Sequence, residues 1–296
     1  MSDVHLFFEA CATLGEGPRW DHRTNELHWV DIERGEIHRL TYGSDEDRVV
    51  SVGQSVGSAV PRCDGDGWIA GLRDGIALFG HGGKVERFVP VDAERTAHRM
   101  NDGVCDSSGR FWTGSLNEEE GPASDVLYRV GPDLSVHEMV QGIGLSNGLA
   151  WSPDDQTMYR VDSAIGTVFR SDFLARSATL SHEEPLIVIN ATLGEPDGIT
   201  VDADGYIWVA LWDGWALRRY SPTGELDYEV SVPVARPTSC VFGGPDLDTL
   251  FITTARTGLS EQDLVAQPWA GHILSYTPGV VGLPTRFFGA SGTFPR

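Results

Sequence analysis

Apolar and polar residues alternate along this chain over short stretches, and the three-to-four-residue spacing of an amphipathic helix is hard to find in it. Runs such as Glu26-Leu27-His28-Trp29-Val30, Tyr206-Ile207-Trp208-Val209-Ala210 and Ala216-Leu217-Arg218-Arg219-Tyr220 read as strands. Turn pairs separate them. Seven Asp-Gly dipeptides occur, among them Asp64-Gly65, Asp74-Gly75, Asp204-Gly205 and Asp213-Gly214. Asp-Gly supplies the positive φ angles of tight hairpins, so the pattern predicts an antiparallel meander in an all-β chain.

A longer period overlies the strands. The pairs Glu16-Gly17, Gly57-Ser58, Asp102-Gly103, Asn147-Gly148, Asp197-Gly198 and Thr238-Ser239 each open a similar segment: a few mostly apolar residues, a polar turn, then another strand. Their first members are 41, 45, 45, 50 and 41 residues apart. Gly148-Leu149-Ala150-Trp151-Ser152-Pro153-Asp154 and Gly198-Ile199-Thr200-Val201-Asp202-Ala203-Asp204 show the likeness most clearly. Units of this length match four-stranded antiparallel blades, and six of them predict a six-bladed β-propeller as a single domain over residues 1–296. The N-terminal strand, near residues 4–9, is expected to complete the last blade and cover its edge. Trp29, Trp68, Trp112, Trp151 and Trp208 recur within blades and are expected to form inter-blade core. Trp212 and Trp215 flank a turn assigned to the channel mouth.

Because the first strand of each propeller blade lines the channel, the leading residues of the six pairs converge. They are Glu16, Gly57, Asp102, Asn147, Asp197 and Thr238. Three carboxylates and an amide from four blades therefore point toward one place. Like charges raise one another's pKa, so such a gathering calls for a compensating cation. Oxygen donors without thiolate or imidazole suit a hard divalent ion. A lone Asp-Gly or Asn-Gly is only a turn former; four acidic or amide residues at equivalent repeat positions favour a metal site.

Charge and composition then narrow the function. With 43 acidic against 22 basic residues the net charge is -21, which disfavours nucleic acid as a partner. The one lysine, Lys84, lies in a Gly-Gly-Lys turn and offers little for Schiff-base chemistry. No apolar run nears the roughly 20 residues of a membrane span, and residues 1–8 lack a signal-peptide pattern, so no membrane partner and a cytoplasmic location are expected. Cys11, Cys63, Cys105 and Cys240 lack Cys-x-x-Cys spacing and are expected as free, mostly buried thiols. A serine hydrolase is not expected, nor a His-Glu-x-x-His metalloprotease or a phosphate-binding P-loop. Among the nine histidines only His98 falls near the converging residues, and it is expected as a solvated loop side chain.

The segments Leu14-Gly15-Glu16-Gly17-Pro18-Arg19-Trp20, Arg99-Met100-Asn101-Asp102-Gly103, Ser146-Asn147-Gly148-Leu149-Ala150-Trp151 and Pro196-Asp197-Gly198 resemble those of the senescence-marker-protein/gluconolactonase family, the regucalcin-like sugar lactonases. Pro237-Thr238-Ser239-Cys240-Val241-Phe242-Gly243-Gly244 and Gly271-His272-Ile273 carry the resemblance into the last blade. It implies a six-bladed propeller with one divalent cation, held by Glu16, Asn147 and Asp197. Calcium is the first choice, with magnesium, manganese, zinc and iron as alternatives. Substrate binding would fall to Arg99, Asn101 and Glu119, with Glu118 the adjacent alternative in the run Glu118-Glu119-Glu120. Met100 stands where the family often carries Phe, which bears on substrate fit. For catalysis the resemblance favours Asp197 as general base, with Glu16 second.

A lactone is a cyclic ester whose carbonyl oxygen gains charge as water attacks. A metal with only three protein ligands keeps positions open for that oxygen or for the water. The leading expectation is therefore a metal-dependent lactonase that opens an aldonolactone, such as gluconolactone or a pentonolactone, to its acid. The partner would be that small molecule, and the protein a monomer or small homo-oligomer. Two alternatives stand beside it: an organophosphate or ester hydrolase on the same metal, and a calcium-binding regulatory propeller without turnover. A binding-only scaffold would not need Arg99, Asn101 and an acid beside the metal ligands.

Overall fold

Asp64-Gly65, Asp74-Gly75, Asp204-Gly205 and Asp213-Gly214 lie at turns between paired strands, whereas Asp102-Gly103 and Asp197-Gly198 lie inside the strands His98–Cys105 and Glu195–Val201. A computed structural model describes residues 3–289 apart from Asp66 and Glu120. It contains six four-stranded antiparallel sheets. Their innermost strands are Gly15–Asp21, Val56–Pro61, His98–Cys105, Ser146–Trp151, Glu195–Val201 and Pro237–Gly243. The protein is a six-bladed β-propeller, as the repeat predicts. His5–Phe8 pairs with Ile273–Tyr276 and closes the sixth blade, so that first and last strands hold the ring together. A short helix, Glu261–Ala266, interrupts that blade and begins at a capping box between Ser260 and Asp263.

Every innermost strand is irregular at the repeat pair. The pairing with the second strand slips between Glu16 and Arg19, Val56 and Ser58, Met100 and Gly103, Ser146 and Leu149, Pro196 and Ile199, and Pro237 and Ser239. A bulge re-aims the side chain it carries. Small residues at these points let neighbouring blades meet near the axis. A Cβ at Gly148 would lie 2.6 Å from the Asp197 carbonyl oxygen, and one at Gly198 would lie 2.1 Å from Ser239 Oγ. Gly in this position is a packing requirement.

Between blades the tryptophans pack as expected. Trp29, Trp68, Trp112, Trp151 and Trp208 are all buried. The indoles of Trp112 and Trp208 donate to Asp106 Oδ2 and Asp202 Oδ2 at 2.9 and 3.0 Å, which satisfies their polar ends. Trp112, Trp151 and Phe173 meet edge to face across blades three and four.

Two expectations change. His98 is no loop residue: it opens the innermost strand of blade three, is buried, and places Nε2 3.3 Å from Ser124 Oγ. The cysteines are free, but only Cys105 and Cys240 are buried; Cys11 and Cys63 are exposed. The C-terminal segment also does more than end the last blade. Gly282 bridges to Asp202 and Phe288 to Arg62, and residues 283–286 lie against the ends of the innermost strands. Among the described residues no helix is long and apolar enough to cross a membrane.

Candidate active site

At the other end of the channel a cavity of about 220 Å³ opens among Glu16, Arg99, Asn101, Asn147 and Asp197. These five come from blades one, three, four and five, and each sits at or next to the bulge of its strand. All five are buried. Apolar side chains, among them Leu14, Ile32, Leu145 and Trp212, complete the wall.

The acids of this cavity carry little compensation. Glu16 Oε2 accepts the Gly17 amide at 2.9 Å, and Asp197 Oδ1 is buried with no hydrogen-bond partner. Burial, reinforced by the charge of Asp102, pushes the Glu16 carboxyl up to about 8. Burial, then the charges of Glu16, Asp102 and Glu195, push Asp197 well above the carboxylate range. Two like-charged groups forced together out of water hold protons or a cation.

The polar side of the cavity is ordered by direct contacts. Arg99 Nη1 donates to Asn101 Oδ1 at 2.7 Å and to the Met100 carbonyl at 3.1 Å. Asn101 Nδ2 donates to Asn147 Oδ1 at 2.9 Å and to the Ser146 carbonyl at 2.8 Å. Asn147 Nδ2 in turn donates to Ser163 Oγ at 3.0 Å. Arg99 Nε lies 3.3 Å from Glu118 Oε1, whose carboxylate also accepts from Arg73 at 2.8 and 3.0 Å. Those two arginines hold the Glu118 carboxyl below its usual range, with the Arg73 hydrogen bond the largest cause.

The sequence-predicted residues thus gather, with one exception. Neither Glu118 nor Glu119 is a lining residue of the cavity and both are exposed, but Glu118 reaches Arg99. Asp102 turns to Arg19, which donates to its Oδ1 at 3.1 Å and to the Gly103 carbonyl at 2.8 Å. Trp212 lines the cavity, whereas Trp215 is exposed. The string Gly53-Gln54-Ser55-Val56-Gly57 has the Gly-x-Ser-x-Gly spacing, contrary to the expectation that no serine-hydrolase signature occurs. Ser55 precedes the strand Val56–Pro61, not a helix, so the string forms no nucleophile elbow. Ser163 escaped the sequence reading because it lies outside the repeat pairs.

Residues 14–256 match the model of the SMP-30/gluconolactonase/LRE-like region. The chain belongs to this family. Regucalcin of Gallus gallus is 34% identical over 278 residues, covering 92% of this chain and 93% of that protein. A Bacillus subtilis (strain 168) protein provisionally named sugar lactone lactonase YvrE is 32% identical over 275 residues, covering 92% and 94%. Among solved structures, a calcium-binding protein, regucalcin, of Agrobacterium tumefaciens strain C58 aligns with a TM-score of 0.89 at 26% identity, covering 96% of this chain and 97% of that one. Family membership accounts for the fold and places this chain among gluconolactonase-like proteins.

The family implies a cation, and the donor set can be tested against it. Among the described residues no three His, Cys, Asp or Glu side chains cluster as a metal site. The expected set has two such groups, the third ligand being an amide. Its chemistry fits a hard ion: two carboxylates and an amide oxygen, with the buried Asp197 Oδ1 unpartnered.

Proposed function

We propose that this protein is a metal-dependent lactonase acting on hydroxyl-rich lactones, with Glu16, Asn147 and Asp197 holding the cation. One observation carries the reading: two uncompensated buried acids share a cavity with Arg99 and Asn101. A cation held there would supply Lewis-acid polarisation of the lactone carbonyl. Calcium is the first to test, since the Agrobacterium regucalcin is described as calcium-binding.

The chain's own residues do the rest. Asp197 is the base that takes a proton from the attacking water. The unpartnered, buried Asp197 Oδ1 is the oxygen free to take that proton. Arg99 commits Nε and Nη1 to the protein, and its remaining donors, with Asn101, bind ring hydroxyls. Glu118 holds Arg99 in place. Leu14, Ile32 and Trp212 exclude bulk water from one side of the ring.

The test is a panel of gluconolactone, xylonolactone, arabinolactone and galactonolactone, with unsubstituted γ-butyrolactone as control, after chelation and cation refilling. Refilling is expected to restore hydrolysis. Arg99→Ala should lower kcat/KM for the hydroxylated lactones far more than for the control. Equal loss on both would remove the sugar-binding role of Arg99, and no turnover in the parent would favour a binding-only propeller.

A further inference from the structure

The site contacts form one continuous chain whose direction is fixed at both ends. An arginine can only donate, so Asn101 must turn Oδ1 toward Arg99 and Nδ2 toward Asn147. Asn147 must then accept through Oδ1 and donate through Nδ2 to Ser163 Oγ. Because a carbonyl can only accept, Ser163 Oγ gives its one proton to the Pro196 carbonyl at 2.5 Å and can itself only accept from Asn147. The chain crosses from blade three to blade five and ends one residue from Asp197.

We propose that Ser163 is the positioning residue that sets which way round the Asn147 amide stands, and so presents its carbonyl oxygen to the cation. The inference rests on the cation reading above. An amide has two nearly isosteric orientations, and only one offers oxygen to an ion; the other offers N–H groups that repel it. The Asn101 bond takes one of the two lone pairs of Asn147 Oδ1, leaving the other for a ligand.

Ser163 is itself held firmly. Its amide donates to the Leu145 carbonyl at 3.1 Å, and the preceding Asp162 carboxylate accepts from the Gly144 and Leu145 amides at 3.0 and 3.1 Å. The turn that carries the hydroxyl is therefore tied to the turn that opens the Asn147 strand. Removing the hydroxyl strips Asn147 Nδ2 of its acceptor and the Pro196 carbonyl of its donor in one step. The flipped amide then loses far less relative to the productive one.

Cation affinity is the direct readout, measured by calorimetric titration of chelator-stripped protein with calcium alone. Ser163→Ala and Ser163→Cys are expected to bind it about 10- to 100-fold more weakly, the usual cost of losing a partner that orients a metal ligand. Ser163→Thr, which keeps a hydroxyl, is expected to bind within a few-fold of the parent. The cysteine variant separates hydroxyl from volume, because a side chain needed only for packing would leave it like the parent. It also carries the test if the alanine variant does not fold, as judged by circular dichroism. Parent-like affinity in both the Ala and Cys variants overturns the role of Ser163 and leaves the lactonase reading intact. A parent that binds no divalent cation overturns the cation reading, and this inference with it.

Discussion

The two ends of the propeller channel are built from the same six bulged strands and treat charge in opposite ways. At the end lined by Glu16, Asn147 and Asp197, two carboxyls are buried together and one oxygen has no partner. Toward the other end, Asp102 is met by Arg19 at 3.1 Å, both buried. Beyond that pair the strand ends are covered by residues 283–286, with Arg286 ion-paired to Asp155. One end is closed by ion pairs and a strap of chain; the other leaves its acids open. On the proposed reading, stability and function are separated along a single axis, and the open acids at one mouth are the proposed cation's ligands.

The sharpest way to break this contrast is to open the closed end. Arg19→Met leaves Asp102 buried without its partner, a change that typically costs about 3–5 kcal/mol. The expected result is a large drop in denaturant midpoint at unchanged m-value, read by urea titration. A loss below about 1 kcal/mol would mean that the pair is not what closes this end.

Asp197→Asn acts on the open end. It keeps an oxygen donor for the proposed cation but removes a charge and the proposed base. Hydrolysis is expected to fall by about 10²-fold or more, while some cation affinity survives. The chelated protein should become no less stable, because an uncharged amide replaces an acid held in an unfavourable setting. Activity within about threefold of the parent would remove Asp197 as the base.

A smaller effect separates the two ends by pH. Glu16 has an ordinary value of 4.5 and is raised by burial and Asp102 to about 8 in the folded chain. A raised carboxyl contributes stability that is present below the unfolded value and lost as pH rises through the folded one. The Glu16 contribution to the chelated protein's stability should therefore fall between about pH 4.5 and 8, opposed below about pH 6.5 by His28, which burial lowers to about 4. On the proposed ligand set, cation and proton compete for Glu16, so calcium affinity should climb over the same interval. Melts at several pH values, with chelator and with saturating calcium, test both; a flat chelated profile would contradict the shift.

How much of this was readable in the chain depends on whether a residue belongs to the repeat. Glu16, Asn147 and Asp197 occupy equivalent positions of the six pairs, so periodicity alone aligned them at one point. Family resemblance added Arg99 and Asn101, which lie a few residues ahead of the third pair. Ser163 could not be found this way, because its role depends on a hydrogen-bond chain that begins three bonds away at Arg99. His98 was misjudged because the third innermost strand begins earlier relative to its pair than in other blades, His98–Cys105 against Ser146–Trp151. The strap over the closed end has no regular period, and nothing in residues 277–289 marks where it crosses.

The acidic run at the open mouth gives the finest test, since a shift of one residue decides it. In the strand Phe111–Asn117 successive side chains alternate faces, and just beyond its end the Asp125 carboxylate accepts the Asn117 amide at 2.8 Å while Asn117 Oδ1 accepts the Glu119 amide at 3.1 Å. That local turn sends Glu118 back toward Arg99 and Arg73. Glu118→Gln keeps the shape but removes the charge that holds both guanidinium groups, so Arg99 loses its anchor. A several-fold rise in KM for hydroxylated lactones is expected, with kcat changed less, because the anchor acts on binding. Glu119→Gln removes a solvated charge without a partner among the cavity residues, and kcat/KM should stay within about twofold of the parent. Parallel kinetics on one aldonolactone decide the register: if the Glu119 variant shows the larger rise in KM, the mouth is lined as the family alignment implies and the contact of Glu118 with Arg99 is incidental.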